Sequence, residues 1–219
     1  GPEVTEAEEM DRVLPAIAAL RSRFELPISV DTFRGRVAAE AFAAGASVGN
    51  DISGFADPTF LPACALHGAA VVATHVRIGP RVPDPEPIYV DVVTDVRDFL
   101  VARVEMARAA GIPDERIMVD AGLDLGKTPA MSASLLRRTD GLVSIGLPVF
   151  LSASNKGFLG DLTGAGIDER VESSWSAHAL GIALGCRIIR AHDVLGGRRV
   201  ADAMAAVLAA GSPASGTSI

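Results

Sequence analysis

Aromatic side chains are scarce in this 219-residue chain, 5% in all with one tryptophan and one tyrosine, and cysteine occurs only twice. Cys64 and Cys186 are far apart with no CxxC spacing, which suits free buried thiols in a reducing cytoplasm, the compartment expected. Apolar stretches reach only strand length before charge or glycine interrupts them, so no transmembrane span is expected. The opening GPEVTEAEEMD is acidic and polar, where a secretory signal would be basic and then apolar. A net charge of −7 argues against nonspecific nucleic-acid binding, while leaving room for a local basic pocket. The common nucleotide signatures, GxGxxG after a strand and GxxxxGK(S/T), are missing. No GxSxG elbow supports a serine triad.

What is present reads as one globular domain over residues 1–211 with a flexible tail at 212–219. Hydrophobic residues make up 49% and charged residues 21%, enough for a sizeable core. Short β-rich apolar runs are PISV (27–30), ASVGND (46–51), AAVVATH (69–75), RIMVDAG (116–122), LPVFLSAS (147–154) and CRIIRAHD (186–193). Longer helical patterns occupy 5–24, 34–45, 91–110, 129–143, 170–184 and 197–210, the first opening on a TEAE capping box and the second ending at Gly45. Runs that are apolar throughout, alternating with helices, imply a parallel sheet covered on both faces, either open or closed into a barrel. Six strands favour the open form, because a (β/α)8 barrel needs eight. The segment 77–90, with four prolines, predicts a long loop of the kind that is usually functional or mobile.

Every run ends in polar groups: Asp31-Thr32, Asn50-Asp51, His75, Asp120, Ser154-Asn155-Lys156 and Arg190-Ala191-His192-Asp193. The carboxyl ends of parallel strands share one face, and sites are built there. Turn chemistry alone explains one such ending but poorly explains six. Asp31 and Asp120 offer acceptors and Asn50 offers both donors and an acceptor, a set suited to the edge of a flat aminopyrimidinone ring. Lys156 adds a point charge, expected in a low-dielectric pocket beside those acids. Arg190 and His192, two apart, are expected on one side. With helix amides brought close by Gly196-Gly197, they make a candidate phosphate site. His67 and His178 lie in helical patterns and read as structural or surface.

SVDT at 29–32, NDISG at 50–54, His75, VDAGLDLGKT at 119–128, SASNK at 152–156 and RAHDV at 190–194 together resemble dihydropteroate synthase, in that family's order and spacing. The resemblance implies a TIM (β/α)8 barrel, here lacking its first two strands and first helix. The implied reaction joins 6-hydroxymethyl-7,8-dihydropterin diphosphate to 4-aminobenzoate in folate biosynthesis, giving dihydropteroate and diphosphate. Asp31, Asn50, Asp120, Lys156 and Arg190 would bind pterin, and Arg190 and His192 would hold the diphosphate. Lys156, Arg190 and His192 would carry the catalysis, and Leu125, Lys156 and Gly157 would line the arylamine pocket. Mg²⁺ is the implied cofactor, with its expected ligand outside this sequence and no metal ligand within it. A homodimer is the implied assembly, with neither nucleic acid nor membrane as a partner.

The departures from that pattern gather on the arylamine side. The family's Ser-Arg-Lys-Ser is Ser154-Asn155-Lys156-Gly157, which loses a hydroxyl that helps receive the aminobenzoate carboxylate. The family's Gly-Phe-Gly-Lys-Thr is Asp124-Leu125-Gly126-Lys127-Thr128, which trades an aromatic wall for Leu125 and adds a negative Asp124. Ser132 stands near the place of a usual asparagine. This erosion resembles divergent second-copy actinobacterial paralogues and keeps open an alternative, a pterin-binding paralogue with little or no transferase activity.

Overall fold

The computed structural model of the chain describes residues 4–210. Among them six strands form one sheet in sequence order: β1 (Ser29–Asp31), β2 (Val48–Asp51), β3 (Ala70–Thr74), β4 (Ile117–Asp120), β5 (Val149–Leu151) and β6 (Ile188–Ile189). Each lies in or against an expected apolar run. Every neighbouring pair is parallel, so each connection must cross back over the sheet, and helices occupy all five crossings and flank the sheet before β1 and after β6. These are α1 (Glu6–Arg21), α2 (Gly35–Ala43), α3 (Phe60–His67), α4 (Val92–Ala109), α5 (Pro129–Arg137), α6 (Asp140–Val143), α7 (Gly157–Thr163), α8 (Val171–Ala183) and α9 (Val194–Ala210).

Local chemistry explains the helix ends. Thr5 and Glu8 close the capping box that starts α1, and Asp91 caps α4 by accepting the Thr94 amide at 2.8 Å. Gly45, at φ 115°, turns the chain out of α2. The core lies between the sheet and this helical layer. It joins Val71, Ala73, Val119 and Leu151 of the strands to Val96, Leu100, Leu135 and Ala177 of the helices, all buried. Both cysteines are buried and free, as expected.

The sheet is curled into a half-barrel. Laid flat, the edge strands β1 and β6 would stand about 24 Å apart, five spacings of about 4.8 Å. Instead Arg190, just past β6, places Nη1 2.8 Å from Oδ2 of Asp31 at the end of β1. The first and last strand ends therefore face one another across an open mouth.

Three expectations need correction. The pattern at 129–143 is two helices, because Arg138 leaves helical geometry at φ −110°, ψ 37° and the Thr139 hydroxyl turns back to the Leu136 carbonyl at 2.8 Å. The last helix begins at Val194, three residues before Gly197. Helix α7 has no counterpart among the expected segments. Segment 77–90 is irregular, as expected. It is pinned by an Arg77–Asp84 ion pair and by the Tyr89 hydroxyl, which donates to the Gly126 carbonyl at 2.8 Å. The expected tail at 212–219, and the domain's end at 211, lie outside the described residues.

Candidate functional site

Side chains alternate along a strand, and register decides which of them share a face. Asp31 pairs with Asn50, Asn50 with Val72, Thr74 with Asp120, and Asp120 with Phe150. Asp31, Asn50, Thr74 and Asp120 therefore occupy the concave face of four successive strands. Asp51 points the other way, fully buried, and its carboxylate accepts the Ser53 and Phe55 amides, which makes it a turn-former. On the concave face the Thr74 hydroxyl donates to Asn50 Oδ1 at 3.5 Å, and Asn50 Nδ2 donates to Asp31 Oδ2 at 3.4 Å. The chain of bonds fixes which way the Asn50 amide faces. Asp120 is 5% exposed and accepts the Gly122 amide at 2.8 Å. No other protein hydrogen bond among the described residues reaches its carboxylate, so it keeps acceptor capacity for a ligand.

The buried lysine of this site is Lys127, whereas Lys156, expected in that role, is half-exposed. Lys127 is 9% exposed, and its Nζ lies 2.9 Å from His75 Nδ1, the Gly122 carbonyl and the Leu125 carbonyl alike. These contacts fold the loop after β4 back over the end of β3. Gly122, at φ 62°, permits that return, since a Cβ there would overlap the His75 carbonyl. Burial governs the protonation of all three groups. It raises the Asp120 carboxyl to about 6, against the opposing pull of the Gly122 amide and of Lys156, Lys127 and Arg190. It lowers the Lys127 ammonium to about 7. It lowers the His75 imidazole to about 3, with the neighbouring Lys127 acting in the same direction. Thr74 and Lys127 were both missed as site residues. The chain's only other lysine is Lys156, and a lysine between Gly126 and Thr128 in the stretch after β4 was the available signal.

The rim of the site is open. Lys156, Arg190 and His192 line one cavity of about 540 Å³ together with Ser154 and Asn155. Arg190 and His192 are thus brought together, although β6 ends before either of them. His192 is held by Ser154, whose Oγ lies 3.1 Å from its amide and 2.9 Å from its Nδ1. The amides expected to complete a phosphate site are partly spent, because the Gly196 N–H goes to the Asp193 carboxylate at 3.0 Å. Gly196 and Gly197 do allow a close approach, as expected, but against Asp193, Trp175 and Ala191. Among the remaining histidines, His67 is exposed, while His178 is 1% exposed with neither ring nitrogen bonded to protein.

The three residues expected in an arylamine pocket do not share one cavity. Leu125 lines a space of about 240 Å³ with Ile52, Val76, Val82, Asp124 and Lys127, while Lys156 lines the larger one. Gly157 lies against Asp124, whose two carboxylate oxygens each stand 3.3 Å from the Phe158 amide. The arrangement as a whole offers buried acceptors and an amide at the floor, cations at the rim and a small side cavity. That combination suits a flat, hydrogen-bonding ring carrying an anionic arm.

The comparisons agree with this geometry. The profile of the family described as pterin binding enzyme matches residues 2–192. A relative from Mycobacterium leprae (strain TN), named inactive dihydropteroate synthase 2, is 40% identical over 207 residues, covering 91% of this chain and 70% of its own. A crystal structure of dihydropteroate synthase from Stenotrophomonas maltophilia with active site-bound imidazole superposes with a TM-score of 0.92 at 38% identity, covering 95% of this chain and 79% of that one. The Xanthomonas albilineans synthase in complex with 7,8-dihydropteroate gives a TM-score of 0.88 at 36% identity, over 97% and 78% of the two chains. This chain belongs to the pterin-binding enzymes, within their dihydropteroate synthase family.

Proposed function

We propose that this chain binds 6-hydroxymethyl-7,8-dihydropterin diphosphate and transfers its pterin methylene to the amine of 4-aminobenzoate. The observation that carries the proposal is the linked polar row Thr74, Asn50, Asp31, which ends on Arg190 at the cationic rim and shares its face with Asp120, the register neighbour of Thr74. Asp120 and Asn50 would read the ring edge, where an unpaired donor or acceptor costs about 1–3 kcal/mol. Arg190 and His192 would hold the diphosphate, with Arg190 moving from Asp31 to the ligand, and Lys156 would stand between ring and arm. In the reaction the methylene carbon–oxygen bond breaks and diphosphate leaves with the electron pair. A carbon–nitrogen bond forms to the arylamine, which gives up one N–H proton. Holding leaving-group charge and positioning the amine are what such a step requires.

Magnesium is implied by the resemblance. The described residues contain no group of three or more His, Cys, Asp or Glu that could hold a metal ion. A magnesium ion would come with the substrate's diphosphate, whose oxygens suit it. The same proposal extends to the fold and the assembly. The two sheet edges left by β1 and β6 support a (β/α)8 barrel completed by two strands and a helix outside this sequence. The single barrel domain, the homodimer and the cytoplasmic placement belong to this reading. Among the described residues no helix is long and apolar enough to cross a membrane.

The test is calorimetry of the full-length protein with the pterin diphosphate, followed by dihydropteroate formation with 4-aminobenzoate and Mg²⁺. Tight pterin binding and turnover are expected, and absence of pterin binding would overturn the proposal. A second reading, a pterin-binding paralogue with little or no transfer, is favoured by one contact, the Asp124 carboxylate seated on the Phe158 amide. Pterin binding without turnover selects it, and rescue of a strain lacking its own synthase rejects it.

A further inference from the structure

Asp124 is one of four non-glycine residues with positive φ among the described residues, at φ 67°, a conformation that needs outside support. The support comes from two helices. Its amide donates to the hydroxyl of Ser132 on α5 at 3.1 Å, and that hydroxyl lies 3.3 Å from Asp124 Oδ1. Ser132 is fully buried. On the other side both carboxylate oxygens take the Phe158 amide of α7. Gly157 leaves room for this, since a Cβ there would sit 3.3 Å from Asp124 Oδ2. The carboxylate is thus clamped from both sides.

The clamped charge faces the side cavity of about 240 Å³, a space for one ring, with Ile52, Val76, Val82 and Leu125 as apolar wall. Two carboxylates line that cavity. Asp84 is neutralised by its ion pair with Arg77, and Lys127, which feels the Asp124 charge, holds its Nζ against His75 and the Gly122 and Leu125 carbonyls. Arg81, also in the lining, is exposed, where solvent and salt weaken its field. A ring entering with its own carboxylate toward α7 would meet a fixed like charge at short range and find the Phe158 amide already taken. A ring bearing a neutral N–H donor at that end would instead donate to Asp124.

We infer that Asp124 is a specificity-determining residue that turns the amine pocket from carboxylate-bearing arylamines toward uncharged aromatic amines carrying a hydrogen-bond donor opposite the amine. The inference rests on the proposed function insofar as this cavity receives the amine, and it makes 4-aminobenzoate an acceptor, but the weaker of the two amines. The test titrates full-length protein, preloaded with pterin diphosphate, with 4-aminobenzoate and with 4-aminobenzamide. The wild-type protein should bind the amide at least tenfold tighter, and Asp124→Asn should move the acid-to-amide affinity ratio at least tenfold toward the acid. The wild-type measurement stands even where the variant fails to fold. Tighter binding of the acid by wild type, binding of neither amine, or an unchanged ratio in a folded variant overturns the inference. In each of those cases retained pterin diphosphate affinity leaves the underlying reading intact, whereas loss of that affinity in wild type overturns both.

Discussion

Asp120, Lys127 and His75 form the floor of the strand-end cleft at 3–9% exposure, while Asp31, Lys156 and His192 repeat the same three residue types at its half-exposed or exposed rim. On the floor, burial sets the protonation of each group, and every polar contact is made inside the protein. At the rim, contacts such as Arg190–Asp31, with side chains 52% and 42% exposed, are open to water and salt. The same chemical groups therefore serve different ends. On the proposed function, the floor would hold a fixed pattern for a ring to match, and the exposed rim would hold charge able to exchange Asp31 for an arriving anion. Changes to the floor should cost affinity and stability together, and changes to the rim affinity alone.

The largest effect is expected from Asp120→Ala. A buried acceptor is lost opposite ring N–H donors, and pterin diphosphate affinity should fall about a hundredfold or more, read by calorimetry. Titration sharpens the point. Because the native carboxyl is raised to about 6, the folded protein binds its proton more strongly than the unfolded chain does. This contribution to stability is full below about pH 4 and is lost as pH rises through 6, on the order of 3 kcal/mol. Asp120→Asn should remove that slope in denaturant titrations. Pterin affinity, which needs the ionised acceptor, should move oppositely and rise between pH 5 and 7. Affinity independent of pH across that window would show that Asp120 does not meet the ring.

Lys127→Met comes next. It leaves the Gly122 and Leu125 carbonyls and the His75 ring without their shared donor, at about 2 kcal/mol of stability. For a chain of this size that lowers the melting temperature by roughly 4–8 °C. The wild-type lysine, held down to about 7, carries a cost that grows as pH falls from about 10 to 7, so wild-type stability should rise as pH is raised from 7 to 10 and the variant's should not. A variant melting within a degree of wild type would place Lys127 at the rim in energetic terms.

Of this floor, Lys127 is the part the sequence shows least well. Apolar runs long enough to be strands locate all six, and the polar residues that end those runs include Asp31, Asn50, Asp120, Lys156, Arg190 and His192. Both readings depend on neighbours along the chain. Lys127 stands seven residues beyond Asp120, and it returns to the site only because Gly122 and the His75 carbonyl set the path of the loop, a tertiary fact. The same cause misplaces the buried lysine, since a strand-end position implies burial, whereas Lys156 opens α7 half-exposed. Helix α7 escaped because seven residues hold too little periodicity to read. The split after Arg137 escaped because nothing in LLRRTDGL except its fold forces Arg138 out of helical geometry.

The smallest effect on stability is expected at Arg190, and it separates the two regions most cleanly. Its ion pair with Asp31 is half in solvent, so Arg190→Ala should change unfolding free energy by less than about 0.5 kcal/mol. The Asp31–Asn50–Thr74 row is built without it. A diphosphate arriving at the rim loses a guanidinium able to make paired, charge-assisted bonds, and affinity for the pterin diphosphate should fall about tenfold. Affinity for the unphosphorylated hydroxymethyl pterin should hold within about twofold. Raising the salt concentration should narrow the gap between wild type and variant for the diphosphate, because exposed charges are screened over about 8–10 Å at 0.1–0.15 M. Equal losses for both pterins would mean that Arg190 works with the floor, reading the ring and not the arm.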